Sequence, residues 1–209
     1  QYHFYQLHKY QKKDFRMHWG SYLFDGKEYK YDERMIDKQN LLYQSASEAS
    51  SVLEIGTYLG HSLLIMLSSN EKLNITSIDI SSKYAKNACE YLKKKFPLAS
   101  IKFIEGNSLL KLKNINDKYD LFHIDGDHQI DIITKEFNLI KKLRKKNLNV
   151  IFDDFDCCID LINNILSTYD ILKVKKTTCY NRNILIQIKL SNNKIKFYYN
   201  EIIFFVKSN

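Results

Sequence analysis

From residue 51 onward the chain alternates short β-rich runs with helical stretches, and this alternation limits the fold more than any other feature. The runs are residues 51–55, 75–80, 101–105, 121–125 and 150–153. Helical stretches occupy residues 62–69, 83–96, 130–144 and 157–168. Strands joined through helices of this length make right-handed crossovers, so their sheet is mostly parallel. The runs are almost continuously apolar, as strands covered on both faces are. The pattern predicts an α/β, Rossmann-like, doubly wound sheet of seven strands. Later runs at 171–174, 184–190 and 195–199 predict an antiparallel C-terminal edge, with a hairpin turn at Asn192-Asn193.

The helix ends agree with this reading. Ser82 is placed to cap the helix that runs to Phe96, and that helix closes on Lys93-Lys94-Lys95. The next long helix closes on Lys141-Lys142-Leu143-Arg144-Lys145-Lys146. Cations at a helix C-terminus complement its dipole, so these runs have an ordinary structural cause. That weakens the case for nucleic acid, which the net charge of +8 would otherwise raise. Residues 1–45 read as a cap or a packing segment, with a turn signal at Asp25-Gly26 and weak helical periodicity over 32–46. Residues 46–209 read as the main domain.

Composition closes off other classes. One Pro and six Gly argue against disorder or a linker-rich chain. Cys89, Cys157, Cys158 and Cys179 form no CxxC pair and no zinc-finger spacing, which fits reduced thiols in a cytoplasmic protein. The first 20 residues lack the apolar run of a signal peptide. The apolar stretch 202–206 is too short to span a bilayer.

The loop after the first strand is Glu54-Ile-Gly56-Thr57-Tyr-Leu-Gly60-His-Ser62. A glycine there lets the chain turn tightly and lets a ligand approach the main chain. The spacing is not that of a pyrophosphate cradle. Glu54 repels a diphosphate but suits a ligand with a positive centre. Asp79 ends the next run, where an acid can accept both ribose hydroxyls. Gly106-Asn107-Ser108 ends the third run and is placed to border an adenine. These three signals fall at successive strand ends, which in such sheets share one crevice.

This set resembles the class I S-adenosylmethionine-dependent methyltransferases. The resemblance covers about residues 50–156. It implies cofactor contacts from Glu54, Gly56, Thr57, Gly60, Ser62, Asp79, Ile80, Gly106, Asn107, Ser108 and Asp125. Asn107 departs from the Asp that many relatives carry.

Two further acid groups end the fourth and fifth runs, in Ile124-Asp125-Gly-Asp127-His128 and Phe152-Asp153-Asp154. Parallel neighbours put these carboxylates on one rim, where close acids need a neutralising cation. Oxygen donors of this kind suit Mg²⁺ or a similar hard ion. The plain alternative is helix capping by Asp127, Asp153 or Asp154. The paired motifs are similar to a metal-dependent O-methyltransferase subgroup that acts on sugar hydroxyls. That resemblance implies Asp125, Asp153 and Asp154 as metal ligands and Asp127 as general base, with His128 its rival. It implies a small hydroxylated substrate such as a sugar or sugar nucleotide, no membrane partner, and room for a homo-oligomer. An RNA methyltransferase and a non-catalytic binding protein of this fold are the competing readings.

Overall fold

The computed structural model describes residues 2–11, 33–177 and 183–189. The turn at Asp25-Gly26, Cys179, the expected hairpin at Asn192-Asn193, the run 195–199 and the stretch 202–206 lie outside the described residues.

The sheet has seven strands in the order β3-β2-β1-β4-β5-β7-β6. They are β1 Ser51–Ile55, β2 Asn74–Asp79, β3 Ser100–Glu105, β4 Leu121–Ile124, β5 Leu148–Phe152, β6 Asp170–Lys176 and β7 Ile184–Lys189. The first five are mutually parallel. Strand β7 is antiparallel to both of its neighbours. It therefore sits inside the sheet, with β6 outside it as the edge. The helices are α1 Tyr2–Tyr10, α2 Ile36–Ser47, α3 His61–Ser69, α4 Ser82–Lys95, α5 Ser108–Leu112, α6 Ile130–Ile140 and α7 Ile159–Thr168. The capping side chain of α4 belongs to Ser81, which accepts from the Lys83 N–H, and not to Ser82 as the sequence suggested. Ser82 already has helical geometry. Its neighbour keeps the extended backbone that a cap requires. None of the described helices is long and apolar enough to cross a membrane.

Alternation along the strands divides the core in two. Val52, Ile75, Ile101, Leu121 and Ile151 face one side, where they pack with Leu7, Leu41, Leu63 and Leu92 of α1 to α4. Leu53, Ile78, Phe122, Val150 and Phe152 face the other, against Phe137 of α6 and Ile162 of α7. Side chains two apart on a strand share a face. Glu54, His123 and Asp153 therefore continue the rows of Val52, Leu121 and Ile151, on the side covered by α1 to α4. The register places Glu54 opposite both Ser77 and His123. Two residues farther on, Asp79, Gly56, Asp125 and Asp153 follow one another across four adjacent strand ends. The fold thus collects its polar residues at one rim of one face.

Glu136 is an exception on the opposite face. It is 1% exposed on α6, and one of its oxygens takes the Ser108 hydroxyl. The other has no hydrogen-bond partner among the described residues. Burial pushes its carboxyl up to about 7, against a partial offset from Ser108. The folded chain then holds more protons than the unfolded one between about pH 4.5 and 7. Stability falls as pH rises through that window. Urea denaturation across pH 4 to 8 should show wild type losing stability relative to Glu136→Gln by about 1–3 kcal/mol. Parallel curves for the two proteins would contradict this.

Candidate active site

The loop after β1 is built around buried carboxylates rather than exposed ones. Glu54 is fully buried and accepts from the Thr57 hydroxyl at 3.0 Å and from the Ser62 hydroxyl. His123 Nδ1 lies 3.1 Å from the same carboxylate, across the β1–β4 pair. Both oxygens of Glu54 are thus engaged inside the protein, and its place is beneath the loop. Asp79 holds the loop from the side. One oxygen accepts from the Thr57 and Tyr58 N–H groups at 2.9 and 2.8 Å, the other from the Ser81 N–H at 2.9 Å. Tyr58 takes a left-handed backbone at φ 43° to allow this.

Gly56 is the position where glycine is required. Its φ is 85°, and a Cβ added there would meet the Asp125 carbonyl oxygen at 1.9 Å. The ends of β1 and β4 therefore touch through bare backbone, a contact that no other residue permits. Gly60 starts α3 at φ 75°, with Ala88 of α4 2.7 Å from where its Cβ would be. His61 follows it, stacked on His8 of α1 with ring nitrogens 2.8 Å apart. That contact docks the N-terminal helix beside the loop.

Beyond Asp79 the side chain of Ile80 is 71% exposed. An apolar side chain so placed, between the first and third strand-end loops, fits the flat face of a purine. Gly106 turns at φ 133° after β3. Asn107 caps α5, and Ser108 donates to Glu136. The predicted cofactor residues at the ends of β1, β2 and β3 thus lie along one rim, with Glu54 and Ser62 beneath it.

The acid groups divide in a way the sequence did not foretell. His123, Asp125 and Asp153 offer donor atoms that all lie within 4.8 Å of one another. Asp154 is not in that group. It sits at φ 46°, with its carboxylate 3.5 Å from His128 Nδ1. His128 is 55% exposed. Asp127 is exposed too, and accepts from the Gln129 N–H at 2.8 Å in a local turn; the N-cap of α6 is Gln129, not Asp127, and carries no side-chain cap bond. The structure therefore brings Asp125 and Asp153 together, gives them His123, and pairs Asp154 with His128.

A cation is already present. Lys38 of α2 reaches Asp153 with Nζ 2.9 Å from one carboxylate oxygen and 2.7 Å from the other. The two side chains are 6% and 3% exposed. Burial pushes Asp153 up, but the Lys38 ammonium, then His123, outweigh it and hold the carboxyl below its ordinary range. Burial and the Asp153 charge raise Asp125 well above its ordinary range. Lys38 itself is raised: burial opposes the ammonium, and the Asp153 and Asp125 charges prevail.

The donor types alone suit a hard divalent ion. Magnesium, however, needs oxygen ligands in near-octahedral order at about 2.0–2.1 Å. Both oxygens of Asp153 face the Lys38 ammonium instead. An ion there would lie beside that ammonium, whose like charge opposes it, and would have to displace it from both Asp153 oxygens. With Lys38 in this position the residues do not fit the ion.

Two participants escaped the sequence reading. His123 gave a signal, a histidine inside the apolar run Leu121-Phe-His-Ile. Lys38 gave a weaker one. It falls in the buried stripe Lys38, Leu41, Leu42 and Ala46 of α2, where an apolar residue is the rule.

A family model for a methyltransferase domain matches residues 53–155. The uncharacterised protein R132 of Acanthamoeba polyphaga mimivirus is 28% identical over 131 residues, 56% of this chain. That match spans 57% of the viral protein's own length. An O-methyltransferase from Bacillus cereus, solved in complex with S-adenosylhomocysteine, is covered over 91% of both chains with a TM-score of 0.61 at 15% identity. The O-methyltransferase TomG from Streptomyces achromogenes, involved in tomaymycin synthesis, was solved with S-adenosylmethionine. It matches over 74% of this chain and 80% of its own, with a TM-score of 0.59 at 16% identity.

The Gly56 contact yields a direct test. Gly56→Ala should speed amide hydrogen exchange both at residues 56–58 and at 125–127, because the collision displaces two strand ends together. Faster exchange confined to the first loop would contradict the contact.

Proposed function

We propose that this chain, whose residues 53–155 are a methyltransferase domain and whose fold is that of class I S-adenosylmethionine-dependent methyltransferases, transfers a methyl group to a hydroxyl of a small molecule. The observation that carries the reading is the line of Asp79, Gly56, Asp125 and Asp153 across four neighbouring strand ends. One side of that rim is made for a nucleoside and the other ends in acids and a histidine.

When bound, S-adenosylmethionine supplies an electrophilic methyl group on sulfur. The protein's own part begins with the loop. Gly56 and Thr57 offer main chain that a ligand can approach closely, and Glu54 keeps that main chain in shape from below. Asp79, at the end of β2, presents a carboxylate toward the position of the ribose hydroxyls. Ile80 offers an apolar surface to one face of the adenine, and Gly106 with Asn107 borders the other. Asp125 lies between these groups and the acceptor side.

His128 is the better base. Asp154 stands 3.5 Å from its Nδ1 and orients the ring, leaving Nε2 to take a proton. Asp127 is already committed to the Gln129 N–H. S-adenosylmethionine, when bound, would give its methyl group to the acceptor oxygen with loss of the carbon–sulfur bond and release of a neutral thioether, and His128 Nε2 would take the hydroxyl proton. Holding the oxygen in line with that bond provides much of the rate. Sugars and sugar nucleotides are the acceptors of choice, since they carry several hydroxyls that such a base can serve.

The test is methyl transfer from labelled S-adenosylmethionine to a panel of hydroxylated small molecules, with RNA as a second panel. His128→Ala should lower kcat by about 10²–10⁴-fold. Asp127→Ala should stay within a few-fold of wild type. Labelling of RNA with no labelled small molecule would overturn the acceptor class, and full activity in His128→Ala would overturn the base.

A further inference from the structure

We propose that Lys38 is the resident cation of this site, a fixed ammonium that takes the place of a divalent ion and positions the Asp154–His128 pair. The presence of the cation stands on the geometry alone. Its part in methyl transfer rests on the reading in the preceding subsection.

Three observations converge. The first is where Lys38 lies. Helix α2 buries Leu41, Leu42 and Ala46 in the core on that face of the sheet, and Lys38 falls in that same stripe at 5% exposure. An ammonium there costs free energy unless a carboxylate meets it. A neutral side chain would serve packing equally well, so packing does not account for a lysine.

The second is how completely Asp153 is engaged. Both of its oxygens lie within 2.9 Å of Lys38 Nζ, and one of them also accepts the Asp154 N–H at 2.8 Å. Asp125 stands on the other side, within hydrogen-bonding reach. The carboxylate best placed to ligate an ion through His123, Asp125 and Asp153 is thus turned to an ammonium.

The third is what depends on Asp153. Its bond to the Asp154 N–H crosses a residue held at φ 46°, a left-handed backbone rare for a residue with a side chain. That conformation directs the Asp154 carboxylate to His128. Lys38 fixes Asp153, Asp153 fixes the turn, and the turn sets the histidine. Lys38 is therefore a positioning residue: it acts through Asp153 and does not touch the acceptor.

The consequence is specific. Removing the ammonium should convert the same acid set into a metal site. The full chain is titrated with Mn²⁺ and bound ion is read by electron paramagnetic resonance, a measurement that needs no turnover. Lys38→Ala should bind one Mn²⁺ per chain at least about tenfold more tightly than wild type. That binding should vanish when Asp153→Asn is added. Where the alanine variant does not fold, Lys38→Ser is used in its place.

Methyl transfer supplies the second arm. Wild-type activity should survive a chelator. The activity lost in Lys38→Ala should return with Mn²⁺ or with Lys38→Arg, a rescue that a merely structural lysine would not show. Tight Mn²⁺ binding by wild type that Asp153→Asn removes would overturn the proposal. A folded Lys38→Ala or Lys38→Ser that binds no Mn²⁺ would also overturn it. Failure to find an acceptor leaves the metal titration intact, so the two readings fail separately.

Discussion

A carboxylate taken out of water loses several kcal/mol of solvation, and only a well-placed opposite charge with further hydrogen bonds offsets that loss. Asp153 is in this position at the end of β5, and the rest of the rim is arranged around its pairing with Lys38. The pairing requires α2 to lie against the sheet on the face shared with α3, which brings the N-terminal segment into the main core. Asp125 stands beside it with its carboxyl raised by burial and by the Asp153 charge, and His123 meets Glu54. From Ser62 through Glu54 and His123 to Asp153 and Lys38, buried polar groups follow one another from the glycine loop to the acceptor side. Such networks are rigid when every member is satisfied. This one ties the β1 end of the rim to the β5 end.

The architecture was legible because period and position agree. Five apolar runs separated by helices leave few topologies, and the handedness rule selects among them. The positions of Gly56, Asp79 and Gly106 were legible for the same reason: a strand end is easily located, and each sits at one. The end of the sheet was less so. The order of β6 and β7 depends on which strand returns to pair with β5, and the sequence of either strand permits both arrangements.

The acceptor half was harder because its partners come from distant segments. That Asp154 faces His128 while Asp125 and Asp153 join His123 depends on a left-handed turn at Asp154, which its residue type allows but does not announce. Lys38 lies 115 residues from Asp153. Four acids on one rim led the sequence reading to a metal ion; the structure gathers Asp125 and Asp153 with His123 and meets Asp153 with the Lys38 ammonium. Whether the cation is an ion from solution or a side chain from another helix is a tertiary fact, and only the buried stripe of α2 hinted at it.

The central claim is that the ends of β1, β2 and β3 form one site for S-adenosylmethionine. Isothermal titration of the cofactor into wild type and Asp79→Ala tests it most directly. The account predicts one site per chain for wild type, and at least about tenfold weaker binding, equivalent to about 1.4 kcal/mol, for the variant. No heat of binding with wild type, or equal affinity in the two proteins, would contradict it.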